Sequence, residues 1–271
     1  MYLGIDIGGT KTLVACLDDG GVIKESVRFP TPKMYGEFIN DLAKTVANLP
    51  TKKFIACGVA VPGRVDHKNG VAIAFGHLPW KDVPVKADVE RILHCPVVVN
   101  NDAKIAGLSE AMLLKSKYSN VLYVTVSTGI GIGYIVDQQI DHSMEDSEGG
   151  HIMLEHNGKI EAWDEFASGK AIVARFNKRA EDIEDEATWE LIVKDIAIGL
   201  VDLVAVIQPQ VIVIGGSVGI YFERYGMLLN RELKQYDTPL VPMPPVIQAG
   251  RPDQAVVYGC YDLAKATYGH S

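Results

Sequence analysis

Apolar and polar positions follow two alternating periods along the chain. YLGIDI (2–7) is a short apolar run bounded by Gly8 and Gly9, which predicts a buried strand. TLVACLD and VIKESVRF predict two further strands, joined by a hairpin turn at Asp18-Asp19-Gly20-Gly21. In YGEFINDLAKTVANL the spacing of Phe38, Ile39, Leu42, Val46 and Leu49 puts five apolar residues on one helix face. KFIACGVAV is a strand closed by Pro62-Gly63, VPVKADVERILH a short amphipathic helix, and PVVVN a buried strand. NDAKIAGLSEAMLLKS follows as a helix with Asp102 in its first turn.

The plan then restarts. SNVLYVTVSTGIGIGYIVDQQ predicts strand, glycine turn and strand, followed by helices near 168–180 and 187–207. QVIVIGG is a strand leading into a helix through about residue 236; PVIQAG is a last strand, and 254–267 a closing helix. The polar stretch KSKYS (115–119) separates the two series. The expected fold class is therefore α/β, with an N-terminal domain over 1–115, a C-terminal domain over 116–253, and a closing helix within 254–271 that packs back on the first. A cleft between two such domains is where ligands usually bind.

Composition narrows the class. Of 271 residues, 48% are hydrophobic and 22% charged, the balance of an ordinary soluble protein. No apolar run approaches the ~20 residues of a membrane helix, and MYLGIDIGG lacks the basic and apolar regions of a secretion signal. With 26 Lys and Arg against 34 Asp and Glu, the charge of −8 argues against a nucleic-acid partner. Cys16, Cys57, Cys95 and Cys260 lie far apart with no C-x-x-C pair, as expected of a reduced cytoplasmic protein without disulfides.

Several stretches carry chemistry. DIGGTKT (6–12) ends a strand with a carboxylate, two glycines, two hydroxyls and a lysine, so its backbone N–H groups can approach a phosphate. It is not a Walker A loop, because Thr10 precedes Lys11 and a strand follows; alone it reads as a plain hairpin turn. STGIGIG (127–133) repeats the device, and two such turns facing one cleft would clamp a polyphosphate. IGGSVG (214–219) is a strand–glycine–helix junction, readable as a tight crossing or as an adenosine site at Gly215 and Gly216. EGGHIMLE holds Glu148 and His151 around two glycines. His142, His151 and His156 have neither nearby cysteines nor an i, i+4 histidine partner, so no zinc site is expected. In EAWDEFASGKAI, Asp164 and Glu165 precede a helix that Ser168 would cap. VVVNNDA ends a buried strand on Asn100, Asn101 and Asp102, three short polar side chains.

Together, in this order and over essentially the whole chain, these motifs resemble the ROK family of sugar kinases and sugar-responsive repressors. DIGGTKT and VTVSTGIGIG resemble its two phosphate motifs, VVVNNDA with AGLSE its sugar and catalytic motif, EGGH its Glu-x-Gly-His, and VIVIGGSV its adenosine motif. The resemblance implies two related actin-like, hexokinase-like (ribonuclease H-like) domains closing over ATP and sugar. It implies Asp102 as the catalytic base, and Gly63, Asn101, Asp102, Glu148, His151 and Asp164 as sugar-binding residues. The phosphate and nucleotide residues would be Asp6, Gly8, Gly9, Thr10, Lys11, Thr128, Gly129, Gly215 and Gly216, with Asp6 holding Mg²⁺ through water. It also implies a homodimer.

Three departures stand out. The family's cysteine-rich zinc loop is replaced by NGKIEAWDEFASG, which has no cysteine. A sugar-binding Glu of the family falls at Asp164, with Glu165 beside it as an alternative. A family Asn appears as His77. The expected reaction is transfer of the ATP γ-phosphoryl to glucose at its 6-hydroxyl. Alternatives are N-acetylmannosamine, N-acetylglucosamine or fructose as acceptor, polyphosphate as donor, or a non-catalytic sugar sensor. Family repressors carry an N-terminal helix-turn-helix, and with the phosphate strand expected from residue 2 none is expected here.

Overall fold

The structure is a computed structural model that describes residues 1–269. It divides into two compact units, one of Met1–Ser109 with Gln254–Ser271 and one of Glu110–Asp253. Residues 270 and 271, within the span given above for the closing helix, lie outside the described residues.

In the first unit, β1 (Tyr2–Ile7), β2 (Lys11–Leu17) and β3 (Ile23–Pro30) form an antiparallel meander. Helix α1 (Tyr35–Asn48) follows, burying Phe38, Leu42 and Val46. β4 (Cys57–Val61) then pairs parallel to β1. It is shorter than the KFIACGVAV pattern suggests, starting one residue after burial becomes complete at Ala56. A three-stranded antiparallel sheet of β5 (Gly63–Asp66), β6 (Val71–Phe75) and β7 (Lys81–Val83) intervenes. Its strands are too short to show a period, and cross-strand pairing creates them. α2 (Val85–Leu93), β8 (Val97–Asn101) and α3 (Asp102–Leu114) complete the series. The main sheet runs β3-β2-β1-β4-β8, with β8 parallel to β4. Leu3, Ile5, Phe38, Leu42, Val59 and Val97 anchor its core.

The second unit repeats the plan. β9 (Asn120–Val126) and β10 (Ile130–Val136) form the glycine-turned hairpin, extended by β11 (Gln139–Ile140). β12 (Met153–His156) and β13 (Lys159–Ala162) make a separate hairpin that leads into α4 (Trp163–Ala167), α5 (Gly169–Phe176) and the long α6 (Glu186–Ile207). β14 (Val211–Gly215), α7 (Gly216–Gly219), α8 (Phe222–Lys234) and β15 (Val246–Gln248) close the unit. Its sheet order is β11-β10-β9-β14-β15, again antiparallel on one side of the central strand and parallel on the other. Trp163, Trp189, Leu200, Ile212 and Tyr225 fill its core.

The last helix, α9 (Ala255–Tyr268), belongs to the first unit. Val257, Tyr261 and Ala264 pack on Tyr2, Ala15 and Leu17, and Tyr268 Oη donates to the Val97 carbonyl at 3.2 Å. The unit boundary falls inside α3, ahead of KSKYS, because Glu110 on that helix accepts the Gly250 and Arg251 N–H groups through its two carboxylate oxygens at 2.6 and 2.9 Å. Among the described residues no helix is long and apolar enough to cross a membrane.

Candidate active site

Strand register assembles the first cluster. Asp6 pairs with Ala60, and Ala60 with Asn100, so Asp6 and the Asn-Asn-Asp stretch share the C-terminal edge of three parallel strands. Asp102 opens α3. The Asn101 carboxamide caps that helix, its Oδ1 accepting from the N–H groups of Ala103 (2.9 Å) and Lys104 (3.3 Å), while its Nδ2 donates to the Gly63 carbonyl at 3.1 Å. Gly63 has φ +149°, and a Cβ there would lie 2.0 Å from the Ala74 carbonyl oxygen, so only glycine fits this loop. Asp6 and Asp102 feel each other. Burial, and next the Asp102 carboxylate, push the Asp6 carboxyl up to about 7, against the pull of Arg28.

The β1–β2 turn is pinned. Gly8 N–H donates to the Lys11 carbonyl (3.0 Å), Thr31 Oγ1 donates to the Gly8 carbonyl (2.8 Å), and Thr12 and Thr31 join hydroxyls at 2.9 Å. Thr10 and Lys11 are left exposed at the tip. His77 lies against this turn, its Cβ 3.0 Å from where a Gly9 Cβ would be, so the departure at His77 sits beside DIGGTKT.

In the second unit Glu148 and His151 are exposed at the ends of the 3₁₀ turn Gly149–His151. Asp164 is not ahead of a helix but within the first turn of α4, and Ser168 caps the next helix by accepting the Ala171 N–H at 3.3 Å. Asp164 Oδ2 lies 3.4 Å from where a Gly129 Cβ would be, while its Oδ1 is buried without a hydrogen-bond partner. Burial raises the Asp164 carboxyl, His151 pulls it back, Glu165 adds to the rise and Lys170 opposes it. Glu165 is exposed.

A cavity of about 490 Å³ lies in this unit, lined by Thr128, Lys170, Arg179, Ser217, Val218 and Tyr221 among others. Hydrogen bonds hold its walls together: Gly169 N–H donates to the Ser127 carbonyl at 2.6 Å, and Ser127 Oγ meets Ser217 Oγ at 3.2 Å. Gly215 and Gly216 stand directly before Ser217 in the chain. Gly216 has φ +80°, and a Cβ there would meet Thr125 Oγ1 at 2.5 Å. Two cations, a nearby helix N-terminus and an aromatic ring make the cavity suited to a nucleotide.

One cluster escapes sequence reasoning. His156 Nδ1 lies 2.8 Å from Glu161 Oε1, its Nε2 lies 3.3 Å from Asp195 Oδ1, and Asp195 Oδ2 accepts from Arg175 at 2.5 Å. Asn157-Gly158, both with positive φ, is the hairpin signal that could have located the β12–β13 turn beside it. Among the described residues no group of three or more His, Cys, Asp or Glu could hold a metal ion.

Two sheets of one plan, each a hairpin-led meander continued by parallel strands, place the molecule in the class with two actin/hexokinase-like domains. The model of the ROK family matches residues 2–267, and the chain belongs to that family. The glucokinase of Streptomyces coelicolor is 26% identical over 312 residues, covering 98% of this chain and 98% of its own. A putative fructokinase of Bacillus subtilis is 31% identical over 235 residues, covering 80% and 77%. The crystal structure of a ROK family glucokinase from Streptomyces griseus in complex with glucose and AMPPNP superimposes with a TM-score of 0.82 at 23% identity, covering 98% and 99%.

Proposed function

We propose that this sugar kinase of the ROK family transfers the γ-phosphoryl of ATP to a hexose, with the 6-hydroxyl of glucose as acceptor, acting in the cytoplasm as a homodimer. The observation that carries the reading is the Asp6–Asp102 pair at the C-terminal edge of the parallel strands. Asp102 orients the acceptor hydroxyl. Because a carboxylate is a far weaker base than an alkoxide, it cannot strip the alcohol in advance and takes the proton late, as the bond to phosphorus forms. Asn101 holds Asp102's helix and the Gly63 loop in register.

The residues present fit Mg²⁺. Two mutually repelling carboxylates are hard oxygen donors that a divalent cation would relieve, and Asp6 would hold it. When bound, Mg²⁺ supplies charge neutralisation on the phosphate oxygens. The N–H groups around Gly9, Thr10, Thr128 and Gly129, with Lys11, would bind the phosphates, the Gly8 N–H being held by the Lys11 carbonyl, and the cavity beside Gly215 and Gly216 the adenosine. Glu148, His151 and Asp164 would bind sugar hydroxyls. The partnerless Oδ1 of Asp164 favours it over the exposed Glu165.

A coupled ADP assay, crossing glucose, fructose, N-acetylmannosamine and N-acetylglucosamine with ATP, tests the reading, with phosphorylated sugar measured directly when polyphosphate is the donor. Glucose with ATP should give the highest kcat/KM. A better acceptor or donor would replace that assignment, and tight sugar binding without turnover would make the chain a sensor. Sedimentation of the protein as a monomer would remove the homodimer.

A further inference from the structure

We propose that His156 and Asp195 form a positioning pair that sets α4, and through it Asp164, and so controls affinity for the acceptor sugar; this rests on the reading of Asp164 as a sugar ligand. Helix α4 has only five residues, Trp163–Ala167, too few to hold its shape unaided. Its fastenings converge on one place. The Phe166 ring stacks on the His156 imidazole at 4.1 Å between centroids and 9° between planes. Trp163, fully buried, donates its indole N–H to the Asp195 main-chain carbonyl at 3.1 Å. The Asp195 side chain in turn faces His156 Nε2 at 3.3 Å and Arg175 Nη1 at 2.5 Å. Asp164 stands between Trp163 and Phe166, so both of its flanking anchors lead to the same pair.

The protons matter. A neutral imidazole carries one N–H, yet both ring nitrogens of His156 face carboxylate oxygens, Glu161 on β13 and Asp195 on α6. Both contacts are hydrogen bonds only when a second proton is present, on the ring or on Asp195. Burial raises the Asp195 carboxyl, with Arg175 and His156 opposing, so Asp195 is one place for that proton. The other groups around the ring are Asn157, at 3.1 Å from Nε2, and the uncharged Phe166. Loss of the second proton turns one attractive contact into a repulsion beside α4. A displacement of about 1 Å in a positioned group can cost on the order of 10²-fold, so a small shift would be measurable.

The test is steady-state kinetics of the full chain carrying His156→Gln, Asp195→Ala or Asp164→Ala, with thermal melts of each. We expect His156→Gln and Asp195→Ala to raise the sugar KM about tenfold, leaving the ATP KM within about twofold and kcat nearly unchanged. In the unsubstituted protein the sugar KM should climb with rising pH while the ATP KM stays flat, and His156→Gln should remove that climb. If Asp164→Ala raises the sugar KM but His156→Gln does not, the positioning role is overturned while the ligand role of Asp164 survives. If Asp164→Ala also leaves it unchanged, both fall. Should His156→Gln fail to fold, the pH profile of the unsubstituted protein with that of Glu161→Gln, whose side chain is 33% exposed, decides. A flat sugar KM in the unsubstituted protein would overturn the proposal.

Discussion

Asp6 and Asp102 are two carboxylates that the fold forces together, and each makes a separate prediction. The Asp6 carboxyl stands at about 7 in the folded protein against 3.8 for a free side chain. Between those pH values the native state keeps a proton that the unfolded chain has released. This group's contribution to stability therefore falls as pH rises through that window. Asp6→Asn should flatten that slope and raise the Tm of the ligand-free protein near pH 8 by a few degrees, on the order of 2–4 °C per kcal/mol for a chain of this size. Thermal melts from pH 4 to 8 check it, and an unchanged slope would contradict the burial argument. Asp102→Asn keeps the shape but loses the carboxylate proposed above to accept the proton. It should lower kcat about 10²–10⁴-fold with sugar binding, followed by calorimetry, largely intact.

At the scale of elements, the candidate residues sit on strand ends and turns, and two glycines separate the proposed sugar and nucleotide halves. Gly63→Ala puts a Cβ 2.0 Å from the Ala74 carbonyl oxygen in the β5–β6 pairing, whereas Gly216→Ala puts one 2.5 Å from Thr125 Oγ1 at the β14–α7 junction. Both also leave a side chain at positive φ, a strain of order 1–3 kcal/mol. Gly63→Ala should weaken sugar binding and Gly216→Ala nucleotide binding. Titration calorimetry of each variant with glucose and with AMPPNP checks the crossed pattern. The β9 and β14 strands were legible in the chain because VLYVTV and VIVI are apolar runs rich in β-branched residues, and β1 because Gly8-Gly9 closes its apolar run. The β5–β7 sheet and the β12–β13 hairpin were not, since strands of three to five residues draw their order from their neighbours.

For the whole molecule, the chain passes between its compact units at 109–110 and again at 253–254. Glu110, 1% exposed, joins the segments beside both passages by accepting the Gly250 and Arg251 N–H groups. Glu110→Ala removes the charged acceptor of two part-buried N–H groups and should cost about 1–3 kcal/mol, read as a lower urea midpoint. Burial raises the Glu110 carboxyl despite those hydrogen bonds and Arg251, so the stability it adds is greatest at low pH and declines as pH rises past the usual carboxylate range.

By itself the sequence determined the α/β class, the doubled plan, and the motifs DIGGTKT, VVVNNDA, STGIGIG and IGGSVG. Each is written locally, in hydrophobic period and glycine placement, which one stretch of chain is enough to show. Tertiary structure alone decided that Asp6 and Asp102 lie close enough to perturb each other, that Asp164 belongs to a short helix beside Gly129, and that His156, Glu161, Asp195 and Arg175 meet. These are contacts between residues distant in the chain. Their energy comes from burial and charge at close range, quantities that exist only once the backbone has brought the partners together.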